Sequence, residues 1–144
     1  MTGQPICILV PIDGSANASR ALDFALNLAK AAPGARLELV NAQPSVGGAV
    51  SAFVNKAEIK DFHRAEGMKV LGAAIEAAKK AGVPYAHHIG VGEPAAVIAA
   101  FAKQLGCGQI VMGTRGLGSA LGLLLGSVAN AVIRHAPVPV TLVK

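Results

Sequence analysis

Apolar residues recur along this chain with two periods, one suited to strands and one to helices. Residues 6–12 form a continuous apolar run containing Ile6, Ile8, Val10 and Ile12. An unbroken run of this length predicts a strand buried on both faces, as in a parallel sheet. From residue 17 to 32 the apolar positions Ala18, Leu22, Ala25, Leu26 and Ala29 follow helical spacing, and Pro33-Gly34 stops that helix. A second strand is predicted over residues 36–42, around Leu37, Leu39 and Val40. Residues 43–56, with Pro44, Gly47, Gly48 and Ser51, predict a loop. A helix follows over residues 58–81, with Ile59, Phe62, Met68, Leu71, Ile75 and Ala78 along one side and Gly82 at its end. Residues 83–89 predict a third strand, and residues 90–94 a turn whose Pro94 opens a helix. Val97, Ile98, Phe101, Ala102 and Leu105 mark that helix, and Gly106-Cys107-Gly108 ends it. A fourth strand over residues 109–112 leads into a glycine-rich segment, a helix over 127–135 and a fifth strand over 138–143.

Strands and helices thus alternate. Alternation predicts an α/β fold: a single domain built on an open, Rossmann-like, five-stranded parallel sheet, ordered 3-2-1-4-5, with helices on both faces. Ligands of such sheets bind beyond the carboxyl ends of the strands, where the strand order reverses. Two polar interruptions fall there: Asp13-Gly14-Ser15 after the first strand, and the segment from Gly113 onward after the fourth.

Composition narrows the function classes. The 144 residues suit one domain, and 53% hydrophobic residues with 15% charged ones exclude a disordered chain. Two cysteines, Cys7 and Cys107, cannot build a disulfide framework, so a reducing compartment is expected. Cys7 is expected in the core, and Cys107, after a helix end, exposed. A formal charge of +5 admits an anionic partner, but the positive residues are dispersed and aromatics are scarce. The expectation is no nucleic acid and no membrane, since no run approaches the ~18 apolar residues of a span. No basic n-region precedes the first strand, so a cytoplasmic protein is expected. His87 and His88 are adjacent and face opposite ways in a strand, and His63 and His135 lack ligand spacing, so zinc is not expected.

Seven of the 17 glycines lie between Gly106 and Gly126. The segment 113–127 runs from a buried strand to a helix start. Glycines let backbone approach a ligand closely, and free N–H groups beside a helix N-terminus form a phosphate site. Gly126-Ser127 supplies such donors without a lysine. The usual nucleotide fingerprints, Gly-x-x-x-x-Gly-Lys-Ser/Thr and Gly-x-Gly-x-x-Gly after a strand, are missing. With no phosphate lysine and no evident general base, no catalytic residue is assigned.

Over nearly its whole length the chain resembles the universal stress protein family. The resemblance rests on the strand ending Val10-Pro11-Ile12-Asp13-Gly14-Ser15, the turn Gly90-Val91-Gly92-Glu93-Pro94, and the stretch from Gly126-Ser127-Val128 to His135-Ala136-Pro137. Its most specific part is the family's ATP-binding pattern: Gly, two residues, Gly, nine residues, Gly, then Ser or Thr. Gly113, Gly116, Gly126 and Ser127 match it without a gap. The resemblance implies ATP with magnesium or manganese. Asp13, beside Pro11, would contact the ribose and the metal-phosphate region. Val40 would hold adenine through its backbone. Gly113 would lie near the ribose, and Gly116, Gly126, Ser127 and Val128 would line the phosphates, with Arg115 a further contact. It also implies a homodimer through the last strand, Val138 to Val143, whose free edge invites another chain.

Each of these residues has a plainer reading beside it. Asp13 and Ser127 suit helix caps, Arg115 suits a solvated loop charge, and Gly118 and Gly122 shape a loop without a ligand role. The expected function is an ATP-binding, stress-responsive signalling or protective module that a further protein partner would read. Two alternatives stand beside it: a slow ATPase or nucleotidyl-transfer enzyme, and a nucleotide-free dimeric interaction module.

Overall fold

A computed structural model describes residues 4–116 and 125–144. Gly118 and Gly122 lie outside the described residues. The elements run in the order β1 (Cys7–Pro11), α1 (Ala16–Ala31), β2 (Arg36–Gln43), α2 (Gly48–Ser51), α3 (Lys56–Ala81), β3 (Tyr85–Val91), α4 (Pro94–Gln104), β4 (Gln109–Gly113), α5 (Ser127–His135) and β5 (Val140–Val143). The strands form one parallel sheet in the order β3-β2-β1-β4-β5, as the alternation predicts.

Burial on both faces explains the apolar runs. Ile8 and Val10 of β1 pack with Leu37, Leu39 and Val111 under α1 and α3. Cys7 and Leu9 of the same strand pack with Val40, Ile110 and Met112 under α4 and α5. Each of Ile8, Leu9 and Val10 is inaccessible to solvent. Between neighbouring strands the register is regular, with Val10 beside Leu39 and Ile110 beside Leu9.

The helix ends follow local chemistry. Ser15 caps α1 by accepting from Ala18 N–H at 3.1 Å, so the cap falls to Ser15 rather than Asp13. Asn55 caps α3 in the same way, which starts that helix at Lys56 rather than 58. Glu93 caps α4, with Pro94 in the first turn. Gly82 takes a left-handed φ of 69° to end α3.

Several boundaries and burials differ from the sequence expectation. The segment 43–56 holds a one-turn helix, α2, and its ends belong to β2 and α3. Strand β3 starts two residues later than expected and extends through Gly90-Val91, because the ladder with β2 continues to Gln43 beside Val91. Strand β5 begins at Val140. Phe62 is exposed, and its neighbour His63 is buried instead, its Nε2 bonded to the Pro44 carbonyl at 3.0 Å. Cys107 is buried rather than exposed. Its Sγ lies 2.7 Å from Cys7 Sγ, both as free thiols. Burial and the neighbouring Cys7 thiol push the Cys107 thiol well above its ordinary pKa. Among the described residues no helix is long and apolar enough to cross a membrane.

Candidate functional site

The sheet order reverses at β1, which has β2 on one side and β4 on the other. A crevice must open where the connections from these strands leave in opposite directions. The structure has a cleft there of about 280 Å³. The end of β1 contributes Pro11, Ile12 and Asp13, and the end of β2 contributes Val40, Asn41 and Ala42. The end of β4 adds Met112 to Gly116, and the start of α5 adds Gly126 to Ala129. All nine residues singled out from sequence line this one cleft: Pro11, Asp13, Val40, Gly113, Arg115, Gly116, Gly126, Ser127 and Val128.

Close approach explains the glycines beside β4. A Cβ on Gly113 would stand 2.6 Å from Asn17 Oδ1, and one on Gly116 would strike Asp13 Oδ2. Asp13 accepts from Ser15 N–H through Oδ1 at 2.9 Å, leaving Oδ2 turned toward Gly116. The stems of the glycine-rich segment are tied together, since Gly126 N–H donates to the Thr114 carbonyl at 2.7 Å. Gly126 is the N-cap residue of α5, and no side chain caps that helix among the described residues. The first turn of α5 therefore presents backbone donors and a partial positive charge to the cleft.

Two groups escaped the sequence reading. The first is Asn17, buried on α1. Its Oδ1 accepts from Arg115 N–H at 2.6 Å, and its Nδ2 donates to the Val143 carbonyl at 2.9 Å. Thr114 N–H donates to that same carbonyl at 3.0 Å. One side chain thus fixes the start of the glycine-rich segment to α1 and β5. The only sequence signal was a polar residue at a helix position that its neighbours Ala18 and Ala21 make buried.

The second is the backbone of Ala42. Val40 uses its carbonyl to accept from Ile12 N–H at 2.8 Å, so its peptide groups face β1. Strand peptides alternate sides, and Leu37 and Gln43 bond toward the β3 side. Ala42 therefore faces the same way as Val40, but β1 has already ended at Pro11. Its backbone groups point into the cleft. Asn41 braces this end, donating to the Ile12 carbonyl at 2.8 Å and accepting from Gln43 at 2.6 Å.

An open parallel sheet with a glycine-walled cleft at its switch point defines the doubly wound α/β proteins that bind ligands at strand ends. The universal stress protein family model matches residues 7–144, and the chain belongs to that family. It is 36% identical to the universal stress protein YxiE of Bacillus subtilis, over 95% of this chain and 97% of that one. Among solved structures, the protein MJ0577 superposes with a TM-score of 0.85 at 26% identity, covering 99% of this chain and 97% of that one. A universal stress protein solved in complex with cAMP superposes with a TM-score of 0.74 at 27% identity, covering 99% of both chains.

Proposed function

We propose that this chain is an ATP-binding member of its family, acting as a nucleotide-dependent signalling or protective module. The observation that carries this reading is convergence: the glycines matched by spacing and the residues that the family resemblance implies, from three strand ends and one helix start, line a single cleft at the switch point. A related structure described in complex with cAMP supports an adenine nucleotide as the ligand class.

The residues present fit such a ligand. Gly113 and Gly116 keep the wall beside β4 free of side chains that would fill it. The first turn of α5, at Ser127 and Val128 beyond the cap residue Gly126, supplies N–H donors for phosphate oxygens, and exposed Arg115 adds a positive charge. Asp13 takes the metal-bound phosphate region, where magnesium or manganese would neutralise the triphosphate. Ile98, Met112 and Val128 offer adenine an aliphatic wall in place of a stacked ring. The adenine edge pairs with the backbone of Ala42, two residues beyond Val40, because Val40 is engaged with Ile12.

The direct test is to purify the protein, denature it by heat and identify any released nucleotide, then titrate the nucleotide-free protein with Mg-ATP. Expected are a released adenine nucleotide or saturable binding at one site per chain. Replacing Gly116 by Val should lower the affinity at least tenfold. Neither release nor binding would overturn the proposal.

A further inference from the structure

A second cleft, of about 520 Å³, lies on the flank of α3 toward the edge of the sheet. Its helix side carries Lys56, Lys60 and Arg64, four residues apart, with Ile59 and His63 beside them. Its other side is formed by His87, Ile89 and Val91, alternate residues of one face of β3. Among the described residues no carboxylate lines it. Among the described residues, Lys56, Lys60 and Arg64 have no ion-pair partner, whereas Lys69 and Lys79 pair along α3. At 100° per residue, Glu58 points away from the cationic row, whereas Asp61 stands about 60° from Arg64, beside the row but outside the cleft lining and without an ion pair to it among the described residues.

The strand that walls this cleft is also an edge. β3 ends the sheet order and pairs only with β2 among the described residues. Its outer backbone groups are a template for another strand. The spacing of the cations matches what such a strand would present. Steps of four residues advance a helix by ~6 Å. Alternate side chains of an extended strand advance by ~6.6 Å. Three cations on one side of the helix therefore stay in register with three alternate side chains on the added strand.

We propose that this groove binds an extended acidic segment of a partner protein. The segment adds to the free edge of β3, with glutamates at alternate positions facing Lys56, Lys60 and Arg64. Their methylene stems rest on Ile89 and Val91. A second copy of this chain suits the groove poorly, because the chain carries +5 and would bring cations to cations. Single-stranded nucleic acid would match the charge, but the groove has no Phe, Tyr or Trp on which to stack a base. The site is separate from the switch-point cleft and does not depend on nucleotide binding.

A fluorescent peptide alternating Glu with Val or Thr over seven residues is the probe, read by anisotropy at physiological ionic strength with the full chain. Expected is saturable binding of one peptide per chain. The triple variant Lys56→Glu, Lys60→Glu, Arg64→Glu should weaken it at least tenfold. A charge-matched control, Lys30→Glu, Lys80→Glu, Lys103→Glu, should leave it within twofold. N-methylation of alternate peptide amides should also weaken binding at least tenfold, since it removes edge pairing but no charge. If the triple variant is not folded, Lys60→Glu alone reads the same contact, with an expected loss of at least threefold. The proposal is overturned if the peptide does not bind, or if binding survives the reversal of Lys56, Lys60 and Arg64. It is equally overturned if a permuted peptide of the same composition, or a single-stranded oligonucleotide of the same charge, binds as well.

Discussion

A methyl group on Gly113 would meet Asn17 Oδ1 at 2.6 Å, Cγ at 2.7 Å and the backbone carbon at 3.1 Å. These are not the far ends of a flexible chain, so α1 and β4 must separate to admit it. Gly113→Ala is expected to destabilise the fold by ~1–3 kcal/mol, read as a lower Tm. Asn17→Ala removes the other side of the same contact and leaves Arg115 N–H without its acceptor. A loss of ~1–3 kcal/mol is expected there, together with weaker ATP binding, because the segment bearing Arg115 and Gly116 loses its anchor. Combining the two changes should cost less than their sum, since both act on one contact. Cys107 gives a pH-dependent signature. Its thiol has a folded-state pKa raised above the ordinary value of 9.0, so the folded state holds the proton more tightly than the unfolded chain. Stability should be full below about pH 9 and fall as pH rises past it, with the fall reduced in Cys107→Ala. Denaturant titrations across pH 7.5 to ~10.5 would measure both slopes.

Helix α3 contains two glycines with opposite expected behaviour. A Cβ on Gly67 would meet three side-chain carbons of Ile89 at 2.6, 2.7 and 3.0 Å, whereas one on Gly72 meets nothing within 4 Å. Gly72→Ala should stabilise the protein by ~0.5–1 kcal/mol through helix propensity. Gly67→Ala should lose that gain and more, because it forces α3 off β3. Thermal melts of the two variants should therefore shift in opposite directions. Helix α5 offers a similar opposition. Ser127→Asp puts a negative charge in its first turn and should raise stability by ~0.3–1 kcal/mol, yet lower ATP affinity at least tenfold by repelling phosphate. A variant that gains stability without losing ATP would remove α5 from the site.

These elements also show how far sequence reasoning reaches. The central strands β1 and β4 were legible because burial on both faces leaves unbroken apolar runs, and the strand order followed from alternation and crossover handedness. Asp13 and the glycines of the cleft were legible because they sit at strand ends in a fixed spacing. Ala42 was not, because its place in the cleft depends on β2 outrunning β1 by three residues, which no local pattern reveals. Phe62 was misplaced because hydrophobicity alone put it in the core. The buried face of α3 actually runs through His63, Gly67, Leu71, Ala74 and Ala78. His63 is admitted there by its bond to Pro44. Cys107 was misplaced because a helix end usually lies at the surface, whereas here the chain turns inward to bond Gly108 N–H to the Cys7 carbonyl at 3.0 Å.

For the molecule as a whole, both sheet edges are open among the described residues: β3 at one end and β5 at the other. They differ in chemistry. The β3 edge lies beside a row of cations, whereas β5 is a short run of Val140, Thr141, Leu142 and Val143, all half-buried. A homodimer through β5 is expected on that ground, with the β3 edge left to a different partner. Sedimentation velocity should give a dimer at micromolar concentration, and Thr141→Lys should shift it toward monomer by placing a charge on the pairing edge. A monomer at all concentrations would remove the β5 interface. The bond from Asn17 to Val143 bears on how the molecule is made. These residues are 126 positions apart, and Arg115 must join them before the wall of the cleft is set. During synthesis the first strand, α1 and β2 emerge early, but their shared site has no floor until β4 and β5 have left the ribosome. On the proposed reading, a nucleotide would therefore meet its complete site only in the final step of folding, as a ligand that locks a finished sheet rather than a template on which the sheet assembles.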